Sequence, residues 1–319
     1  MFKNEKFRVF DIHAHLPYRL PLFAEEPHPR IKQYGAERSE RMRLTWDFPA
    51  PERKGEIEEA PKEDGRPLID RWVDELDEYG IGGLNFLTGL DNDDLASQIF
   101  KYPDRFTGFA CHPIEKLGAA EELRRAIDVL GLRGYKLFGP LTPIAFDDPS
   151  LDPVWRFLAE RQLPVLIHFG MLGHAGGIVH HPNINPLALF NTARAYPDIP
   201  FVIPHFGAGY FQELLHLCWS CPNVHVDTSG SNQWVRWMPY ELNLEILFRK
   251  TYELIGPERI VFGTDASGFP RGYPYRYLQD QVRVCRELRF PEPDIERIFG
   301  DNARRLVRFG PVPASASAR

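Results

Sequence analysis

Cysteine is scarce in this chain, with only Cys111, Cys218, Cys221 and Cys285 among 319 residues. The single C-x-x-C pair lies in LLHLCWSCPN, which reads as the end of a helix. With no second pair beside it, Cys218 and Cys221 read as buried packing residues rather than as a zinc or redox centre. Long apolar runs are missing too. None reaches membrane-spanning length, and the opening MFKNEKFRVF has no secretory apolar core. These absences argue against a membrane partner and make a reducing cytoplasm the expected compartment. A basic excess is also lacking: the formal net charge is −6, which gives no positive field for a phosphate backbone. Nucleic acid is therefore set aside, and a small-molecule substrate is the expected partner.

What is present is enough apolar material for a large core. Hydrophobic residues make up 43% and charged residues 26%, and the length fits one α/β barrel carrying an insertion. Strand-length apolar runs recur as FRVFDIH, IGGLNFLT (81–88), RFTGFACH (105–112), LRGYKLFG (132–139), LPVLIHFG (163–170), PFVIPHFG (200–207), NVHVDTSG (223–230) and RIVFGTDASG (259–268). Such near-continuous runs suit strands covered on both faces. Between them lie helical patterns, LIDRWVDELDEYG and AAEELRRAIDVLG among them, several ending at Gly or just before Pro. A strand followed by a helix, eight times over, predicts a (β/α)8 TIM-like barrel. The doubly wound sheet is the alternative, but its G-x-G-x-x-G turn after the first strand is missing.

Two stretches depart from the repeat. Residues 16–67, rich in Pro, Glu and Arg, are too long for an ordinary loop after the first strand and are expected to cap the barrel mouth. Residues 310–319, GPVPASASAR, read as a flexible tail. The expectation is thus a single domain over 1–309.

His13 and His15 in VFDIHAHLP are two residues apart on a strand, so they share a face and can converge on one ion. Alone, H-x-H reads equally well as a core histidine followed by a loop histidine. Later strands end in the same chemistry: Lys136 in GYKLFG, His168 in VLIHFG, His205 in FVIPHFG and Asp265 in VFGTDASG. Barrel strands aim their C-terminal ends at a common mouth, so these positions together point to a metal site.

That series, with DIHAHLP, the paired HFG strand ends and GTDASGFP, resembles the amidohydrolase superfamily over residues 9 to 309. More narrowly it is similar to the amidohydrolase-related group that includes the aminocarboxymuconate-semialdehyde decarboxylase-like and resorcylate decarboxylase-like enzymes. The resemblance implies that His13, His15, His168 and Asp265 hold one divalent ion, Zn2+ or alternatively Mn2+. Asp265 would also accept a proton, and His205 would act as an acid or base. Lys136 has two readings: an ammonium that pairs with a substrate carboxylate, which is favoured, or a carboxylated bridge between two ions. By resemblance alone, a homodimer is also expected.

Rim residues supply further candidates. His174, His180 and His181 lie in GMLGHAGGIVHHPN, where His174 is a candidate substrate contact and a glycine-rich rim loop is the plain reading. Arg271 can pair with a carboxylate or be an ordinary loop arginine. Trp237, with Trp234 nearby, can wall a pocket or pack in the core. The expected activity is metal-dependent hydrolysis of a small carboxylated or cyclic substrate through a metal-activated water. Non-oxidative decarboxylation at the same site is the alternative. A catalytically silent binding protein on the same barrel is the third reading.

Overall fold

The computed structural model describes residues 9–17, 28–30, 33–37, 65–171, 182–269 and 271–310. Most of the 16–67 segment, His174, His180, His181 and tail residues 311–319 lie outside the described residues. All strands pair in parallel: β1 (Phe10–Ala14), β2 (Gly83–Phe86), β3 (Phe106–Gly108), β4 (Ala110–Cys111), β5 (Tyr135–Phe138), β6 (Val165–His168), β7 (Phe201–Ile203), β8 (Val224–Asp227) and β9 (Ile260–Val261). β3 and β4 are one run broken at Phe109, whose N–H still bonds Phe86 O on one side, while Ala110 N–H bonds Gly134 O on the other. The ring closes where Ile12 N–H donates to Phe262 O at 3.0 Å and Asp265 N–H to His13 O at 2.8 Å. With β3 and β4 taken together this is the (β/α)8 barrel.

Helices follow the strands: α1 (Leu68–Tyr79), α2 (Asn92–Ile99), α3 (Ala119–Asp128), α4 (Asp152–Arg161), α5 (Phe190–Ala195), α6 (Phe211–Ser220), α7 (Leu244–Ile255), α8 (Tyr275–Glu287), α9 (Glu292–Glu296) and α10 (Asn302–Leu306). In α1 the apolar side chains Ile69, Trp72 and Leu76 fall on one face and are buried against the strands. The helix stops at Gly80, whose φ of 69° is left-handed and whose N–H closes on Leu76 O. Cys218 and Cys221, at the end of α6, are buried free thiols. Among the described residues no helix is long and apolar enough to cross a membrane.

The barrel floor is a separate apolar layer. Phe10, Ile12, Leu87, Phe109, Leu166, Val202 and Val261 cluster there with Ala303, Leu306 and Val307 from α10 and just beyond it. Ile12 packs with this floor, yet its neighbour His13 joins the polar mouth described below. Strict alternation forbids two consecutive residues on one side. A bulge resolves it: Asp11 pairs with Leu84 and Ala14 with Phe86, so β1 carries one extra residue against β2.

Candidate metal centre

The strand ends gather the expected side chains at one point. His13 Nε2 lies 3.2 Å from His15 Nε2 and 3.5 Å from Asp265 Oδ1, and His15 Nε2 is 3.2 Å from the same oxygen. Three ligands about 2.0–2.1 Å from a tetrahedral ion stand roughly 3.3–3.4 Å apart, so these three atoms already have the spacing of an ion's faces. His205 belongs to the same place: it offers a donor atom within 4.8 Å of those of His13 and Asp265. His168 is adjacent, with its ring 5.1 Å from that of His205, but its Nε2 meets the carbonyl of Met171 at 3.1 Å. The geometry therefore brings His205 nearer the donor set than sequence reasoning placed it, and turns one nitrogen of His168 to the backbone.

Each histidine is aimed by a second group. Asp227, at the end of β8, holds His13 Nδ1 at 2.6 Å, and Ser229 Oγ reaches the same nitrogen at 3.0 Å. Thr88 Oγ1 holds His15 Nδ1 at 2.8 Å. Fixing Nδ1 in this way leaves Nε2 to face the common point, as carboxylate and hydroxyl partners do for metal-bound imidazoles. His205 Nδ1 is held by Ser229, through the carbonyl at 3.1 Å and the hydroxyl at 3.0 Å. Asp227, Ser229 and Thr88 were missed in the sequence. The signal existed for Asp227, because NVHVDTSG also ends a buried strand in a polar residue.

The loop that carries Asp265 is tied to β1 by Asp11. Its carboxylate accepts Thr264 N–H at 3.1 Å, Thr264 Oγ1–H at 2.5 Å and His13 N–H at 2.9 Å. Asp265 itself has a φ of 58°, and His205 and Phe206 have φ of 57° and 49°. Left-handed backbone at non-glycine residues costs on the order of 1–3 kcal/mol each and is tolerated where the surroundings fix it. Gly263 makes room for the cluster: a Cβ there would lie 2.7 Å from His13 Cβ and 2.8 Å from Asp227 Oδ1. Behind the loop, Gln281 of α8 clamps Thr228, accepting from its hydroxyl at 2.6 Å and donating to its carbonyl at 3.1 Å.

Burial tunes the charges. It pushes His13 and His168 well below the ordinary imidazole range and lowers His15, so these rings are neutral and have lone pairs to offer. Burial also works against Asp265, yet the hydrogen bond with His15 and the neighbouring imidazoles outweigh it and keep the carboxylate ionised. Asp227 is lifted to about 6 by burial. Neutral imidazoles with one carboxylate are the donor set that suits zinc and tolerates manganese.

Beside the cluster is a cavity of about 530 Å³ at the ends of β2, β4 and β5, lined by Thr88, Cys111, Lys136 and Phe138 among others. Lys136 is buried, and burial brings its ammonium down to about 8. The Cys111 thiol is pushed up to about 11 by burial, which leaves it a poor nucleophile. Of the rim candidates, Arg271 donates to the carbonyl of Asp265 at 3.2 Å and so braces that loop. Trp234 is buried and donates to Asn232 Oδ1, whereas Trp237 is 49% exposed. His174 lies outside the described residues.

A (β/α)8 barrel with buried imidazoles and a carboxylate converging at its mouth defines a class of barrel built around a candidate metal centre. Within that class the chain belongs to the amidohydrolase family, whose model matches residues 10–309. A gamma-resorcylate decarboxylase from Rhodococcus jostii (strain RHA1) is 37% identical over 265 residues, covering 68% of this chain and 75% of that protein. Among solved structures, a 5-carboxyvanillate decarboxylase from Novosphingobium aromaticivorans, complexed with manganese and 4-hydroxy-3-methoxy-5-nitrobenzoic acid, superposes with a TM-score of 0.59. It is 17% identical, with 95% of this chain and 96% of that chain covered. An amidohydrolase from Burkholderia multivorans with bound zinc gives 0.63 at 15% identity, covering 95% and 100%. At these identities the two structures show the shared fold.

Proposed function

We propose that this protein is a metal-dependent decarboxylase of small aromatic acids. The observation that carries the reading is the 37% identity to a gamma-resorcylate decarboxylase, joined to a donor cluster of the right chemistry. It reverses the order expected from sequence, which put hydrolysis first and carbon–carbon cleavage second. His13, His15 and Asp265 would hold the ion, with His168 as the fourth expected ligand, and zinc or manganese suits them. A bound ion there would supply positive charge to stabilise the anionic substrate.

The chain's own groups do the rest. A proton must reach the ring carbon that bears the carboxylate; the carbon–carbon bond then breaks, carbon dioxide leaves, and its electron pair restores the ring. His205, with Nδ1 fixed by Ser229, is oriented to carry that proton, and Asp265 stands beside it as the partner base.

The test is carbon dioxide release from 2,6-dihydroxybenzoate by the zinc- or manganese-loaded protein. Release should stop after dialysis against a chelator and return when either metal is added back. Acid release from lactones or amides, with no carbon dioxide from any aromatic acid, would return the site to hydrolysis.

A further inference from the structure

Among the described residues, Lys136 stands at the mouth with no task in the proposed reaction. It sits in the middle of β5, between Cys111 of β4 and Leu166 of β6, and is 1% exposed. Its Nζ has no hydrogen-bond partner among the described residues and lies over the ring of Phe138, 4.5 Å from the centroid. Asp265 and Asp227 attract it without reaching hydrogen-bond contact, and a buried ammonium that makes no hydrogen bond is costly unless something anionic arrives to meet it.

The cavity indicates from which side it would arrive. Lys136 lines it together with Thr88, the residue that holds His15, so the space runs from the ammonium to the edge of the donor cluster. Leu95, Ile114, Leu141 and Phe138 give it apolar walls. Its carboxylates, Asp91 and Glu115, are not buried, which leaves a cation as the charge at its depth. At about 530 Å³ it has room for a single substituted ring.

We infer that Lys136 is the counter-ion for the carboxylate of an aromatic acid that enters this cavity with its acid end towards the metal centre. This rests on the decarboxylase reading for the choice of aromatic acids, though its test reads binding and not turnover. A neutral analogue of the same shape would leave the ammonium unmet, so Lys136 sets specificity for acids over amides and esters.

Binding of 2,6-dihydroxybenzoate and of the neutral 2,6-dihydroxybenzamide is measured by calorimetry on metal-loaded wild type, Lys136→Met and Lys136→Gln. The wild type should prefer the acid by tenfold or more. Both variants should lose at least tenfold in acid affinity and keep their amide affinity. Variants that hold the acid as tightly as wild type would overturn the proposal, as would two metal equivalents per wild-type chain falling to one in the variants, which would give Lys136 to the metals. Should neither variant fold, a wild-type crystal soaked with 2,6-dihydroxybenzoate decides: a carboxylate within hydrogen-bond reach of Nζ supports the assignment, and a carboxylate elsewhere refutes it. Failure to release carbon dioxide would leave these binding outcomes standing and count only against the reaction.

Discussion

On β8 two histidine-sized decisions are made two residues apart. His225 pairs in register with Val202, a residue of the apolar floor, whereas Asp227 reaches the mouth and holds His13. Around His225 the charged neighbours are Arg259 and Arg305, and its Nδ1 is buried with no hydrogen-bond partner among the described residues. Asp227 is met by three hydrogen-bond partners: the His13 ring, the Ser229 amide at 2.8 Å and the Ser229 hydroxyl at 2.9 Å. The floor is held by area removed from water and needs no partners. The mouth buries polar groups, and apart from Lys136 those described above are met by another group placed to hold them. Substitutions at the mouth should therefore cost chemistry, and substitutions at the floor should cost stability.

The largest expected effect is at the mouth. His13→Ala or Asp265→Asn should lower turnover at least about 10³-fold, roughly 4 kcal/mol of barrier, with metal content falling in parallel. Circular dichroism should change little. A variant that kept near-normal rates would remove these residues from the metal centre and end the contrast. Next comes Asp227→Asn, which keeps the shape beside His13 and removes the charge. Partners of metal-bound imidazoles are typically worth 10- to 100-fold in metal affinity, so a competition titration with a chromophoric chelator should show a loss of that size. An unchanged metal affinity with a lowered thermal midpoint would make Asp227 a structural residue like those of the floor.

The contrast also explains what the sequence revealed and what it concealed. Near-continuous apolar runs ending in a polar residue mark barrel strands and their mouths, so the fold, His13, His15, Lys136, His205 and Asp265 were legible. The β3–β4 break was not, because Phe109 is as good a strand residue as its neighbours and differs only in where its hydrogen bonds go. The bulge in β1 was equally hidden: DIHAH obeys alternation on paper, and only pairing with β2 shows the extra residue. Thr88 and Ser229 carry residue types too common at strand exits to stand out. The orientation of His168 depends on a carbonyl three residues on, which spacing does not encode.

The smallest effect belongs to the floor and turns on the sign of a proton. Burial, with Arg305 and Arg259 adding to it, brings His225 down to about 3, so the folded protein keeps this imidazole neutral while the unfolded chain protonates near 6.5. Between those values the unfolded state binds more protons, and stability must fall as pH drops through 6.5 towards 3. Each unit is worth about 1.4 kcal/mol, which sets a ceiling of about 2 kcal/mol lost from this residue between pH 6.5 and 5. His13, His15 and His168 push in the same direction, and a metal bound there would keep their rings neutral in the folded state, so their contribution stays the same in wild type and in a floor variant. Urea unfolding of metal-loaded His225→Gln at pH 5 and pH 8 should therefore show a shallower acid loss than wild type, with carbon dioxide release unaltered. Equal acid slopes would mean that the floor tolerates the charge, and an altered rate would mean that floor and mouth are not the separate regions their chemistry describes.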